Sequence, residues 1–200
     1  TASVCGEWAM TDEFTTRPIT RTDFSLIEQL FGARGACGGC WCMVWRAPST
    51  GAWWTEHKGA PNREAFRTLV ESGAAHGCLA FAGKTPIAWC SVGPKSDFAY
   101  FERARALPRT AEDGVWSLTC FFIPPAWRRR GVSTLLIAAA VAHAPENGAQ
   151  WLEGYPTRIA AGKQLPAAFA HTGLVAPFLK AGFTPIVAAG SRQLMRLRLR

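Results

Sequence analysis

The stretch from Val115 to Ala144 constrains the fold more than any other part of this chain. Its first part, Val115 to Ile123, is mostly apolar, aromatic or β-branched and runs into two prolines, which is the pattern of a buried strand. Three arginines and Gly131 follow, and from Val132 a run of Ala, Leu and Ile favours a helix. The stretch therefore predicts a strand, a tight basic turn and a helix.

That turn is suited to binding a phosphate group. The first turn of a helix has unpaired N–H groups, and the helix dipole places about half a positive charge there. Gly131 has no Cβ, so a bound group can approach the backbone closely. Arg128, Arg129 and Arg130 add long-range attraction and forked contacts to phosphate oxygens. The chain lacks the P-loop pattern and has no GxGxxG after a strand, so the prediction is a different phosphate or pyrophosphate pocket.

The same segment resembles the acetyl-CoA signature of the GNAT superfamily of N-acetyltransferases. The signature is an apolar residue, a proline and an aromatic residue, followed by [RQ]-x-x-G-x-[GA]. Here it reads Ile123, Pro125 and Trp127, and then Arg128 to Ser133. The last position departs from the pattern, because a serine stands where Gly or Ala is usual, but serine is small enough to fit.

The order of predicted elements extends this resemblance from about residue 15 to residue 199. That order, β-α-α-β-β-β-α-β-α-β-β, is similar to the family's, and Ala181-Gly182-Phe183 matches the x-G-F that commonly ends the family's last helix. The expected fold class is α/β, with a mixed, mostly antiparallel sheet of six to seven strands flanked by about four helices. Residues 15–200 are expected to form a single domain, residues 1–14 a loose leader, and residues 46–61 a loop.

The resemblance implies acetyl-CoA as the cofactor and a primary amine as the acceptor. In this family the strand before the phosphate loop diverges from the next strand, and its backbone holds the pantetheine arm. By position, the arm would contact Phe121, Phe122 and Ile123. The pyrophosphate would contact Arg128, Arg129, Arg130, Gly131, Val132, Ser133 and Thr134.

The tyrosine that usually serves this family as general acid is replaced here. Aligned back from the x-G-F match, its position holds Phe178, which cannot donate a proton, and the usual helix-starting Asn aligns with His171. Tyr155, at the end of the diverging strand, is the predicted substitute. Glu153 lies on the same strand face by alternation and could be the base or hold the cationic amine. A half-buried aromatic residue and a salt-bridged Glu are the structural alternatives for these two.

Four residues are predicted to contact the acceptor: Trp41, Trp45, Asp97 and His171. The two tryptophans follow a Gly- and Cys-rich turn, although core packing is the default for such side chains. Asp97 follows a Gly-Pro-Lys-Ser turn, where it could pair with an amine or simply cap the turn. Cys37, Cys40 and Cys42 have the spacing of zinc ligands, but the chain has no second CxxC, so no metal site is predicted.

Composition narrows the classes of function. The formal net charge is +8, yet the basic residues are scattered rather than concentrated in a stripe, which argues against nucleic acid as a partner. No apolar run approaches the ~18 residues of a membrane span, so no membrane partner is expected. Seven cysteines, an odd number, predict reduced thiols in a cytoplasm rather than a disulfide framework. The Arg- and Ala-rich, Lys-poor usage is typical of a GC-rich bacterial genome.

The predicted function is acetyl transfer from acetyl-CoA to a primary amine of a small polar acceptor. An aminoglycoside or amino-sugar antibiotic is one specific case, and the protein would then be a resistance enzyme. A protein N-terminus or lysine is the alternative acceptor. A module that binds acyl-CoA without turnover and a nucleic-acid-binding protein are the alternatives from other classes. The sequence leaves both a monomer and a homodimer open.

Overall fold

The computed structural model describes residues 9–10, 13–104, 107–108, 112–159 and 170–200. Within these residues, eight strands form one sheet in the order β1-β2-β3-β4-β5-β6-β8-β7. They are β1 (Ala9–Met10), β2 (Thr15–Pro18), β3 (Gly77–Ala82), β4 (Thr85–Pro94), β5 (Val115–Phe122), β6 (Trp151–Gly154), β7 (Thr184–Ala189) and β8 (Arg192–Arg198). All neighbouring strands pair antiparallel except β5 and β6. The predicted mixed, mostly antiparallel sheet is confirmed, and the strand beyond the expected number is the two-residue β1.

Helices cover both faces of the sheet. They are α1 (Phe24–Phe31), α2 (Ala52–His57), α3 (Ala60–Ser72), α4 (Tyr100–Arg103), α5 (Val132–Glu146) and α6 (Val175–Lys180). Successive β4 side chains point to opposite faces, so Cys90 joins the core under α5 while Trp89 joins the core under α1 and α3. The short helix α2 lies inside residues 46–61, so the prediction of a loop there is wrong. Among the described residues, no helix has the length and apolar content to cross a bilayer.

The basic turn connects β5 to α5 as the sequence predicts. Gly131 adopts a left-handed φ of 79° at the helix N-cap, a conformation that glycine reaches without steric cost. Leu136, Ile137 and Ala140 are buried on the sheet side of α5, and its small alanines let the helix lie close to the strands. The helix therefore begins at Val132 with its amino end at the end of β5.

Strands β5 and β6 separate at the site that the family resemblance indicates. Their pairing runs only from Val115–Trp151 to Leu118–Gly154, and β5 then continues to Phe122 paired with β4 but not with β6. A Cβ on Gly154 would overlap the ring of Phe178, a fully buried residue of α6. The ring of Phe178 fills the base of the gap.

Most of the predicted leader, residues 1–14, lies outside the described residues. Within it, β1 pairs with β2, and Phe14 is buried against Trp127 with ring centroids 5.8 Å apart. The division into residues 1–14 and 15–200 stays a prediction.

Candidate active site

A cavity of about 300 Å³ lies beside the end of β5. Its walls come from the Gly- and Cys-rich turn, from α2 and the residue after it, and from β4, β5 and His171. The lining side chains are aromatic, aliphatic or thiol-bearing, with Lys58 and His171 as the basic groups and no acid among the described residues that line it. The lining comprises Phe31, Ala36, Cys37, Gly38, Cys40, Cys42, Val44, Trp45, Trp54, Lys58, Trp89, Cys120, Phe121, Phe122 and His171.

The Gly- and Cys-rich turn, residues 35–45, has an unusual backbone. Ala36, Trp41 and Cys42 all have positive φ, at 65°, 42° and 55° respectively, which non-glycine residues adopt at a cost of about 1–2 kcal/mol each. Gly35 is required, because a Cβ there would overlap the Trp41 indole. The Gly39 carbonyl anchors the turn by accepting the Gly59 N–H at 2.9 Å.

The turn places the Cys42 sulfur in a group of hydrogen-bond donors. Trp89 Nε1–H donates to Cys42 Sγ over 3.2 Å. A hydrogen bond from the Cys120 thiol, then those from Trp89 and Ser91 and the charge of Arg46, lower the pKa of Cys42 to about 7 against the effect of burial. The pKa of Cys120 is raised well above its usual value by the bond to Cys42 and by burial. Cys42 is therefore the more acidic thiol of this pair.

The amino end of α5 fits an anion. No side chain among the described residues caps this helix, so its first N–H groups face outward. A Cβ on Gly131 would meet nothing within 4 Å, which leaves open space in front of the helix. Arg129 is exposed there with a φ of 61°. A backbone of this kind can bind a pyrophosphate.

The flanking arginines shape this loop as well as charging it. Arg128 donates from Nε to the carbonyl oxygen of Ile123 at 2.8 Å, which ties the loop to the end of β5. Arg130 forms an ion pair with Glu13 and lies over the Trp127 ring, 5.0 Å from its centroid. Among the described residues Arg129 has no ion pair or hydrogen bond from its side chain, so its guanidinium is available for long-range attraction of phosphate.

The backbone at the end of β5 already carries one contact. Phe121 donates its N–H to the carbonyl oxygen of His171 at 2.6 Å. Phe121 and Phe122 line the cavity, and Ile123 is partly buried against the core. A ligand that binds β5 through the Phe121 N–H has to share or displace that carbonyl.

Glu153 and Tyr155, the predicted catalytic residues, belong to a buried network of charges and hydrogen bonds, and their catalytic role stays a prediction. Both are fully buried and neither lines the cavity. Glu153 lies 2.7 Å from Lys95 Nζ and 2.7 Å from Arg196 Nη2, so each carboxylate oxygen is held by a cation. Burial, followed by the charge of Glu153, raises the pKa of Tyr155 well above its usual value, so its phenol is a poor proton donor.

The four predicted acceptor contacts divide into two pairs. Trp45 and His171 line the cavity. Trp41 does not, because its indole is buried against Phe24, with ring centroids 6.1 Å apart. Asp97 also lies outside the cavity lining, since its carboxylate faces the Arg46 guanidinium at 3.6 Å. Trp41 thus packs in the core and Asp97 pairs with Arg46, and their predicted contacts with the acceptor stay predictions.

Sequence reasoning did not bring Cys42, Trp89 and Cys120 together at the cavity. Trp89 and Cys120 come from β4 and β5, far from Cys42 in the chain, and no local pattern connects the three. The Cys-x-x-Cys-x-Cys spacing drew attention to Cys42 as part of a metal motif. In the part of the chain that the structure describes, no three His, Cys, Asp or Glu side chains are grouped to hold a metal ion.

Comparison with known proteins supports the family resemblance and the fold. A model of the acetyltransferase (GNAT) family matches residues 42–162. The fold is similar to PaiA N-acetyltransferase from Thermoplasma acidophilum in complex with coenzyme A, at 14% identity and a TM-score of 0.54, over 94% of this chain and 99% of that one. YncA from Salmonella typhimurium, with its cofactor acetyl-CoA, gives 12% identity and a TM-score of 0.52, over 94% and 95%. A GNAT acetyltransferase from Streptococcus pneumoniae gives 13% and 0.54, over 94% and 100%. Among curated proteins, none matches this chain.

Proposed function

Because the chain belongs to the GNAT family of acetyltransferases and uses acetyl-CoA, we propose that it acetylates the primary amine of an apolar acceptor. The acceptor is an arylalkyl or aliphatic amine, with its apolar body in the cavity beside β5 and its nitrogen at the end of that strand. This acceptor replaces the small polar amine that the sequence favours. The free cysteines of the described residues fit a reducing compartment such as the cytoplasm.

The composition of the cavity wall is the observation that carries this proposal. Val44, Trp54 and Phe122 give the wall its accessible apolar surface, and the charged groups on the wall are the cation Lys58 and the Cys42 thiol, whose pKa is lowered. An aminoglycoside or polyamine brings several ammonium groups, and each needs a carboxylate or water once it is bound. An apolar cavity with one anionic group and no carboxylate among its described residues favours an amine with a single charge.

Acetyl-CoA supplies the thioester, and the chain's own residues position it. We assign the pyrophosphate to the amino end of α5, from Arg128 to Thr134, where no side chain of the described residues caps the helix. We assign the pantetheine arm to Phe121, Phe122 and Ile123, because β5 extends past the end of β6. An arm that binds the Phe121 N–H shares it with the His171 carbonyl or displaces that carbonyl. These assignments bring the arm to the rim of the cavity.

The test is acetyl transfer to a panel of amines at equal concentration. The panel holds phenethylamine, tryptamine and hexylamine, an aminoglycoside, spermidine, and a peptide with a free N-terminus and a lysine. Product and CoA are separated by chromatography rather than detected with a thiol reagent, because the protein's own cysteines would react with it. We expect the highest kcat/KM for the arylalkyl amines. A higher value for the aminoglycoside, spermidine or the peptide would overturn the proposed acceptor class.

A matched pair of variants tests whether the cavity holds the acceptor. Trp54→Ala removes aromatic surface from the cavity wall, whereas Trp53→Ala removes the neighbouring indole, which stacks on His57 outside it. We expect Trp54→Ala to raise KM for the arylalkyl amine about tenfold with little change in the KM for acetyl-CoA. Equal effects of the two variants would show that the acceptor binds elsewhere.

A further inference from the structure

We propose that Cys42 is the proton-transfer group of this active site. Its thiolate takes a proton from the acceptor ammonium, and its thiol returns that proton to the departing sulfur of CoA. The inference rests on the proposed function, because it requires the acceptor to bind in the cavity that Cys42 lines.

The contacts of Cys42 are those of a stabilised anion. Its sulfur accepts the Trp89 Nε1–H over 3.2 Å, and Trp89 is itself fully buried and fixed in the core. Cys120, on the strand assigned to the pantetheine arm, and Ser91 also lower the pKa of Cys42. A hydrogen-bond donor held against a sulfur stabilises the thiolate over the thiol.

A buried cation next to Cys42 adds to this effect. The Arg46 side chain is 7% exposed, and its nearest carboxylate oxygen, on Asp97, lies 3.6 Å away. Nε and Nη2 of Arg46 have no hydrogen-bond partner among the described residues. A buried guanidinium whose charge and hydrogen bonds are only partly satisfied favours an anion nearby. The charges of Arg46 and Cys42 accordingly stabilise each other.

Other candidates for the proton transfer are less suited. Phe178 occupies the position of the family's acid and carries no proton to give. Six titratable side chains line the cavity within the described residues: Cys37, Cys40, Cys42, Lys58, Cys120 and His171. Burial raises the pKa of Cys40, and the pKa of Cys120 is raised by its bond to Cys42, so neither supplies a thiolate near neutral pH.

The step balances in atoms and charge. Cys42 Sγ⁻ accepts a proton from R–NH3⁺, and the freed lone pair forms a C–N bond to the acetyl carbonyl carbon. The bond from that carbon to the CoA sulfur then breaks, and Cys42 S–H gives its proton to the sulfur. The second proton of the acetylated nitrogen leaves to solvent, and Cys42 is again a thiolate. A thiol with a pKa of about 7 is a stronger acid than an ordinary thiol of about 8.5, so the return of the proton is downhill.

The first experiment needs no substrate. Thiolate absorbance in the ultraviolet is titrated from about pH 5 to 9 in the wild type and in Cys42→Ser, and the difference reports Cys42 alone. We expect a transition near pH 7 that Trp89→Phe moves to higher pH. Cys90→Ser is the matched control, because Cys90 is buried on the opposite face of β4 and donates to the Leu136 carbonyl, as serine also can. A difference spectrum without a transition below about pH 8.5 would overturn the proposal.

The second experiment uses the acceptor found with the panel. We expect Cys42→Ser and Cys42→Ala to lower kcat about a hundredfold, with an unchanged thermal shift by acetyl-CoA and loss of the rise in kcat through neutral pH. Cys90→Ser should keep both the rate and the pH profile. Full activity of Cys42→Ala with the wild-type profile overturns the assignment, and so does an acetyl group on Cys42 in intact-mass spectra, since that would make it a nucleophile.

These outcomes separate the two proposals. A wild type that turns over none of the panel amines contradicts the proposed acceptor, and the absorbance titration then decides on Cys42 by itself. A wild type that acetylates arylalkyl amines while Cys42→Ala does so equally well contradicts the role of Cys42 and leaves the acceptor class standing.

Discussion

Tyr155 donates its hydroxyl hydrogen to Glu153 Oε2 over 2.7 Å, and both side chains are fully buried. Lys95 and Arg196 contact the same carboxylate, and Arg196 also pairs with Glu112. We predict that Glu153→Gln lowers the free energy of unfolding by about 3 kcal/mol, because it removes the fully buried charge that both cations contact. Tyr155→Phe should cost about 1 kcal/mol, since it removes one hydrogen bond. Urea denaturation measures both changes.

Glu102→Gln is the control for these two variants. Glu102 is exposed on α4, so its substitution should leave the free energy of unfolding almost unchanged. If Glu153→Gln unfolds at the wild-type urea concentration but loses its turnover, Glu153 acts in catalysis after all. A loss of stability with kcat largely retained confirms the structural role.

Gly131 and Gly148 flank the two ends of α5 and form a matched pair for testing the cofactor loop. Both have left-handed φ, at 79° and 86°, and a Cβ on either would meet nothing within 4 Å. Substitution by tryptophan should therefore strain the backbone equally, by about 1–2 kcal/mol. We predict that Gly131→Trp abolishes the thermal shift by acetyl-CoA, because its side chain occupies the assigned pyrophosphate position, and that Gly148→Trp retains it. Equal binding by both variants would place the cofactor elsewhere.

Lys58 gives a test of charge selection at the cavity. Lys58→Glu reverses the charge of this side chain and adds a carboxylate to a cavity wall that has none among the described residues. We predict a rise of about fivefold in kcat/KM for spermidine. The attraction between the new carboxylate and one ammonium group, partly screened by water, is worth about 1 kcal/mol. Lys84→Glu, on the exposed turn between β3 and β4, has the same change of net charge and should leave spermidine unaffected. A rise in both variants would indicate long-range attraction instead of contact in the cavity.

The elements that sequence predicted best are those whose signals are local. The Val115–Ile123 strand, the helix from Val132 and the hairpin around Gly83 each combine an apolar pattern with a Gly or Pro boundary, and all three are present. Helix α2 was missed, because its six residues carry little apolar periodicity and follow a Pro- and Ser-containing stretch. A helix this short depends on its packing against α3, which the sequence does not display.

The candidate site was predictable only in part, for a similar reason. Trp41 and Trp45 lie four residues apart in one turn, yet the positive φ at Trp41 directs its indole into the core while Trp45 reaches the cavity. The Trp89–Cys42 bond joins residues 47 apart, so it depends on how β4 packs against that turn. Local composition identified the segment, and only its tertiary contacts distinguish the core residues from the lining residues.

His143 and His76 give the fold a dependence on pH that is separate from catalysis. His143 Nε2 lies 3.4 Å from His76 Nδ1, and both rings pack against Trp116. Burial, then the neighbouring His76, lowers the pKa of His143 from 6.5 to about 4. Between these values the unfolded chain binds more protons than the folded one, so stability is fully present above pH 6.5 and falls as the pH is lowered towards 4.

We predict that the wild type loses about 1–2 kcal/mol of unfolding free energy between pH 7.5 and 5, as this lowered pKa requires. His143→Gln removes the titrating ring while keeping a polar group beside Asn147, so it should be less stable at neutral pH but lose less on acidification. His57→Gln, which removes a histidine of α2 outside this cluster, should keep the wild-type dependence. Urea denaturation at the two pH values measures the change in unfolding free energy of each variant. If His143→Gln loses as much unfolding free energy as the wild type, other groups cause the acid sensitivity.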